Sequence, residues 1–166
     1  MRFIPWIILA YVVLGLQCGL GPYIQINDAA PNLVLPVIIF IALYAPRDAA
    51  LLGTYIVGLM QDMISTVPLG THALVYAAVT AAVRMTQPTI QREHWLTHVL
   101  LALSGGVLQG VVWTLAGMRM HDRPPMSLLV TTTIYTAILS PFMLKYLHKI
   151  KRIFAFQPER KMPGRV

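Results

Sequence analysis

Asp62 lies near the end of an apolar stretch running from Gly53 to Gly70, with Gln61 beside it and Ser65 and Thr66 just beyond. A carboxylate in such surroundings is costly, and it needs a packing partner, a binding partner or a transported ion to justify it. Its place near the end of one helix puts it within reach of the amides that open the next, around Gly70. Unsatisfied N–H groups and the local dipole favour an acceptor there. The reading from the residues is a structural clasp between two consecutive helices, with partner binding and ion passage as the alternatives. A proton relay is disfavoured, because no second carboxylate or histidine in the apolar segments clearly faces Asp62.

The remaining chemistry-bearing residues do not form a reactive set. His72, His94, His98, His121 and His148 are spread along the chain. His94 and His98 share a helical spacing, but they lack the adjacent glutamate of the metalloprotease helix and read as interface hydrogen-bonding groups. Ser65 and Ser140 have no histidine–carboxylate team, and there is no nucleophile elbow, phosphate loop or dinucleotide fingerprint. Cys18 is the single cysteine, which excludes an internal disulfide and a cysteine-rich metal site; it reads as a small buried apolar side chain. The expectation is a protein that is not an enzyme, with no catalytic, cofactor-binding or metal-binding residue.

The elements that must position Asp62 are written for lipid. Of 166 residues, 57% are hydrophobic and 11% are charged, where a soluble domain carries about 25% charged residues. Apolar segments separated by short turns predict an all-α, polytopic membrane protein with six transmembrane helices. The predicted spans are Ile4 to Leu20, Asn32 to Tyr44, Ala49 to Ile64, Gly70 to Met85, Trp95 to Ala116 and Ser127 to Tyr146. The opening run resembles a secretory signal but is long for one and lacks a cleavage site, so it reads as an uncleaved first helix. Sixteen helical residues rise only about 24 Å against a hydrocarbon layer of roughly 30 Å. Helices two and three therefore meet a thinned bilayer or form a re-entrant pair. The charged turn at Arg47 and Asp48 favours two short spans. The expected organisation is a six-helix transmembrane domain, residues 1–148, and a basic cytoplasmic tail, residues 149–166.

Eleven of the thirteen Lys and Arg residues fall on one side of this layout, among them Arg2, Arg47, Arg84, Arg92 and the cluster from Lys145 to Arg165; Arg119 and Arg123 fall on the other. The bias predicts that both termini are cytoplasmic. Trp6, Trp95 and Tyr146 are expected at the inner interface and Trp113 toward the outer end of helix five. The tail mixes cations with Ile150, Ile153, Phe154 and Phe156, a composition suited to anionic headgroups or to a cytoplasmic protein. Without zinc ligands, a recognition helix or an aromatic platform, it does not read as a nucleic-acid binder. The outer loops, from Gly21 to Ala30 and from Gly117 to Pro125, are too short to form a domain.

Small residues recur at helical spacing: Gly15 with Gly19, Gly53 with Gly58, and Gly106 with Gly110. In lipid such pairs let backbones approach, either within the bundle or against another membrane protein. Gln17 and Gln109 lie among them, and Pro141 is expected to kink helix six.

The run Gly53, Gly58, Asp62, Ser65, Leu69 and Gly70, together with Pro31-Asn32-Leu33 at the start of helix two and the basic end after helix six, resembles the rod shape-determining protein MreD family. The likeness covers most of the chain. It implies a non-enzymatic scaffold of the bacterial elongation complex in the cytoplasmic (inner) membrane, without cofactors. The implied partners are MreC first, then MreB, RodA and the elongation transpeptidase, with no nucleic acid. It implies structural or partner-binding roles for Pro31, Asn32, Gly53, Gly58, Asp62, Ser65, Leu69 and Gly70. It also implies a fold similar to the substrate-binding subunits of energy-coupling-factor transporters, which leaves a small-molecule-binding transport subunit as the alternative function.

Overall fold

Ten consecutive residues, Val34 to Leu43, are buried on every side of helix α2 (Val34–Tyr44). A helix that is apolar all round belongs inside a bundle, and the other helices enclose this one. The computed structural model describes residues 3–65, 67–86, 95–120 and 125–150. Around α2 stand α1 (Phe3–Leu20), α3 (Arg47–Ile64), α4 (Thr71–Thr86), α5 (Trp95–Met120) and α6 (Met126–Ile150). Helix α2 touches all five, while α3 packs chiefly on α4 and α5 on α6.

Local chemistry sets the ends of α2. The Asn32 Oδ1 accepts the amides of Val34 and Leu35 at 2.9 and 3.0 Å, supplying the first turn with an acceptor. Ala45 is extended and Pro46 follows, which stops the helix. The Arg84 guanidinium of α4 then donates to the Ala45 and Ala42 carbonyls at 3.0 and 3.4 Å, a cation at a helix C-terminus. Between α1 and α2, a 3-10 turn (Gly21–Tyr23) leads to a tight reversal in which Ile26 and Ala29 exchange backbone hydrogen bonds. Asn27 and Asp28 take the left-handed conformation there, at φ 50° and 64°, which short polar side chains tolerate.

Contacts between helices fix their directions. Trp6, early in α1, packs over Gly53 of α3, whereas Gln17, late in α1, meets Pro31 and Leu33 before α2. Tyr44 at the end of α2 meets His148 near the end of α6 at 3.1 Å. Arg84 near the end of α4 meets the end of α2. One end of the bundle therefore gathers the start of α1, Tyr44, Arg47, Arg84, Trp95 and His148.

The expectation of six transmembrane helices is overturned. Among the described residues three stretches are long and apolar enough to cross a membrane: Trp6–Tyr23, Trp95–Leu115 and Met126–Lys149. Helix α2 has 11 residues, about 16 Å of rise against a hydrocarbon layer of roughly 30 Å. Its apolar sequence reflects burial among neighbouring helices. Helices α3 and α4 are too polar or too short to qualify, and most of the polar residues away from their charged ends point inward. In α3, Thr54, Gln61 and Asp62 are buried while Leu52, Met60, Met63 and Ile64 are exposed, the reverse of a water-facing helix. The three long helices, with this apolar exterior, make the chain a multi-pass membrane protein.

Smaller expectations also change. Cys18 is exposed. Trp6 is buried against Gly53, while Trp95 and Tyr146 are exposed. Gly15 and Gly19 have no neighbour within 4 Å, so this pair packs against nothing in the bundle. Helix α5 continues to Met120, through the start of the expected outer loop. Arg2, Thr66, Arg92, His94, His121, Arg123 and the tail from Lys151 onward lie outside the described residues.

Candidate functional site

Helix α4 starts without a capping side chain of its own. Gly70, at φ +95°, has none to offer, and the Thr71 hydroxyl donates back to the Pro68 carbonyl at 2.6 Å. Asp62 fills the vacancy from α3. Its Oδ2 accepts the amides of Gly70 at 2.8 Å and Ala73 at 3.3 Å, and its Oδ1 accepts the amide of His72 at 2.9 Å. The carboxylate thus takes three of the donors that a helix start leaves open.

The ring of His72 completes the arrangement, with Nδ1 2.8 Å from Asp62 Oδ1. Both oxygens already accept amide protons, so the carboxylate is the acceptor and Nδ1 the donor. Contrary to the expectation that no histidine clearly faces Asp62, His72 does, at hydrogen-bond distance. Close approach of α3 and α4 makes this geometry possible. A Cβ at Gly58 would collide with the Ala73 Cα and lie 2.6 Å from the Ala73 amide nitrogen. Only glycine lets the α4 backbone come this near.

An aspartate–histidine pair is two-thirds of a hydrolytic triad, but among the described residues this one serves no nucleophile. His72 is 1% exposed. Its ring is boxed by Trp113, edge-on at 5.6 Å between centroids, and by Tyr76 at 5.9 Å. The Ser65 hydroxyl donates to the Asp62 main-chain carbonyl at 3.4 Å instead of approaching the imidazole. No group of three potential metal ligands occurs among the described residues.

A second polar cluster adjoins the first, one residue back in α3 and one turn on in α4. The Tyr76 hydroxyl donates to Gln61 Oε1 at 2.6 Å and accepts from Asn32 Nδ2 at 3.1 Å. The same Asn32 amide donates to Gln109 Oε1 of α5 at 2.8 Å, and the Asn32 backbone N–H donates to the Thr136 hydroxyl of α6 at 2.8 Å. Gln17 of α1 brackets the segment, accepting from the Leu33 amide at 2.6 Å and donating to the Pro31 carbonyl at 3.2 Å. Helices α1, α4, α5 and α6 thus bond directly to the three residues that precede α2, and α3 is tied to them through Gln61 and Tyr76.

The expected site residues therefore divide. Gly58, Asp62, Ser65 and Gly70 meet at the α3–α4 turn. Pro31 and Asn32 sit in the adjoining knot, joined to it through Gln61 and Tyr76. Gly53 lies apart, beneath the Trp6 ring, where a Cβ would come 2.9 Å from the ring. Leu69 is 75% exposed and joins neither cluster. The sequence named Gln61, His72, Gln17 and Gln109 without giving them partners, and Tyr76 and Thr136 were not singled out at all. The available signal was the spacing of His72 and Tyr76, four residues apart on one helix face and opposite the Gln61-Asp62 pair.

A family model described as the rod shape-determining protein MreD matches residues 1–150. The chain belongs to the MreD family. Membership gives it a non-enzymatic role in the membrane, consistent with a scaffold of the elongation machinery. Neither a curated protein nor a solved structure matches the chain. The likeness to energy-coupling-factor subunits that the resemblance implied thus has no structural counterpart, and it falls together with the six-span plan.

Proposed function

We propose that this MreD-family chain is a rigid membrane scaffold that binds MreC and helps to organise lateral peptidoglycan synthesis, with MreB, RodA and the elongation transpeptidase in the wider assembly. The observation that carries this reading is the family match over residues 1–150. The geometry supports it, because Asp62 with His72, and Gln61 with Tyr76, Asn32 and Gln109, form two adjoining hydrogen-bonded sets inside the bundle. Such a network rigidifies a fold. Of the motif residues, Gly58, Asp62, Gly70 and Asn32 hold helices together, Gly53, Ser65 and Pro31 support them, and exposed Leu69 meets the partner.

The host membrane in this proposal is the bacterial cytoplasmic membrane, with both termini on its inner side. The start of α1 and the end of α6 share one end of the bundle with Arg47, Arg84, Lys145 and Lys149, which suits the positive-inside rule. The basic segment 149–166 then faces anionic headgroups in the cytoplasm. Affinity purification of the full chain in mild detergent tests the reading and should retrieve MreC. Recovery of no wall-synthesis protein, under conditions that keep the wider complex together, would refute it.

A further inference from the structure

At the basic end of the bundle, α5 and the last turns of α6 part to leave a cleft of about 820 Å³ beside the end of α2. This is within the range of roughly 300–1,000 Å³ typical of small-molecule sites. Its walls change character along α6. Ile138, Pro141, Phe142 and Leu144, with Val99 of α5, make an apolar trough; Lys145 and His148 follow toward the helix end, facing His98 and Trp95. No carboxylate lines the cleft among the described residues, and Lys145 is exposed there.

Both walls are helices long and apolar enough to cross a membrane. The cleft lies at their ends, where acyl chains give way to headgroups. Trp95, 60% exposed, and Tyr146, 70% exposed, stand at the same level, the depth that amphipathic rings prefer. A molecule complementary to this gradient has a long apolar chain and an anionic group at one end.

We propose that this cleft binds one anionic glycerophospholipid, with its phosphate against Lys145 and an acyl chain along Ile138 and Phe142. A zwitterionic lipid is a poorer fit, because its own ammonium group would offset the attraction to Lys145. Nothing in the Asp62 or Asn32 clusters takes part, so the site is separate from the network that holds the helices together.

Trp95 provides the test. The full-length protein is reconstituted in vesicles containing brominated phosphatidylglycerol or brominated phosphatidylcholine over the same series of mole fractions, and tryptophan quenching is followed. The signal from Trp95 is identified by its loss in Trp95→Phe. Phosphatidylglycerol should quench Trp95 at roughly five-fold lower mole fraction, the effect of about 1 kcal/mol for one cation at an anionic surface. Lys145→Gln should abolish the preference, while Lys145→Arg and Lys149→Gln should keep it. Circular dichroism of each variant confirms that it is folded. Equal quenching of the wild type by both lipids would overturn the proposal. A preference that survives Lys145→Gln but disappears on neutralising Lys151 and Arg152 would also overturn it and assign the lipid to the tail.

Discussion

His72 binds Asp62 twice, through its backbone amide at 2.9 Å and its ring Nδ1 at 2.8 Å, both to the same carboxylate oxygen. One side chain of α3 therefore fixes both the start of α4 and the orientation of a buried imidazole. Removing the carboxylate strands the imidazole and three amides in a site that water does not reach, whereas removing the imidazole leaves the carboxylate its three amides.

Asp62→Ala should lower stability by roughly 3–5 kcal/mol, the cost of breaking a buried pair by removing one member. His72→Ala should cost less, since the three amides keep their acceptor. A double-mutant cycle on unfolding in mixed micelles should give a coupling energy of at least about 1 kcal/mol. Additive single effects would show that the ring and the carboxylate act independently.

Glycine substitutions should rank by what the new methyl group meets. Gly58→Ala faces the Ala73 backbone, which cannot move aside without parting α3 from α4. The expected loss is about 1–3 kcal/mol or more. Gly53→Ala faces the Trp6 ring, which can shift, and should cost less. Gly15→Ala has nothing within 4 Å and should be neutral or slightly stabilising in a helix. Thermal midpoints measured in one detergent check this order, and a Gly15 effect as large as that of Gly58 would contradict it.

Tyr76→Phe keeps the ring and removes one hydroxyl from between Gln61 and Asn32. The buried Gln61 Oε1 loses its donor, and about 1–3 kcal/mol should be lost. The change also loosens the tie between α3 and the segment before α2. Faster backbone amide exchange at Val34 and Leu35 should accompany the lower unfolding midpoint.

Leu69→Ala separates folding from association. The side chain is 75% exposed, so its truncation should leave the unfolding midpoint within about 0.5 kcal/mol of wild type. If Leu69 is a contact residue, recovery of MreC should fall in the same preparation. Unchanged recovery would remove Leu69 from the partner surface.

The amino-acid sequence by itself determined where the helices are. Pro31, Pro46 and Gly70 punctuate the apolar runs through backbone constraints that act locally. The expected second helix, Asn32 to Tyr44, differs from the observed Val34–Tyr44 only by its capping residues. The nearness of Asp62 to the start of α4 follows equally from a short turn. Tertiary structure alone decided which apolar helices are enclosed by their neighbours and which are free to face lipid. An apolar run records exclusion from water, and the interior of a bundle excludes water as well as a bilayer does. Helix α2 was therefore indistinguishable from a short span until its neighbours were seen to surround it. The pairing of Asp62 with His72 and of Asn32 with Gln109 and Thr136 was hidden for a related reason. Each polar side chain announces that it needs a partner, but its choice among distant helices depends on how their backbones cross.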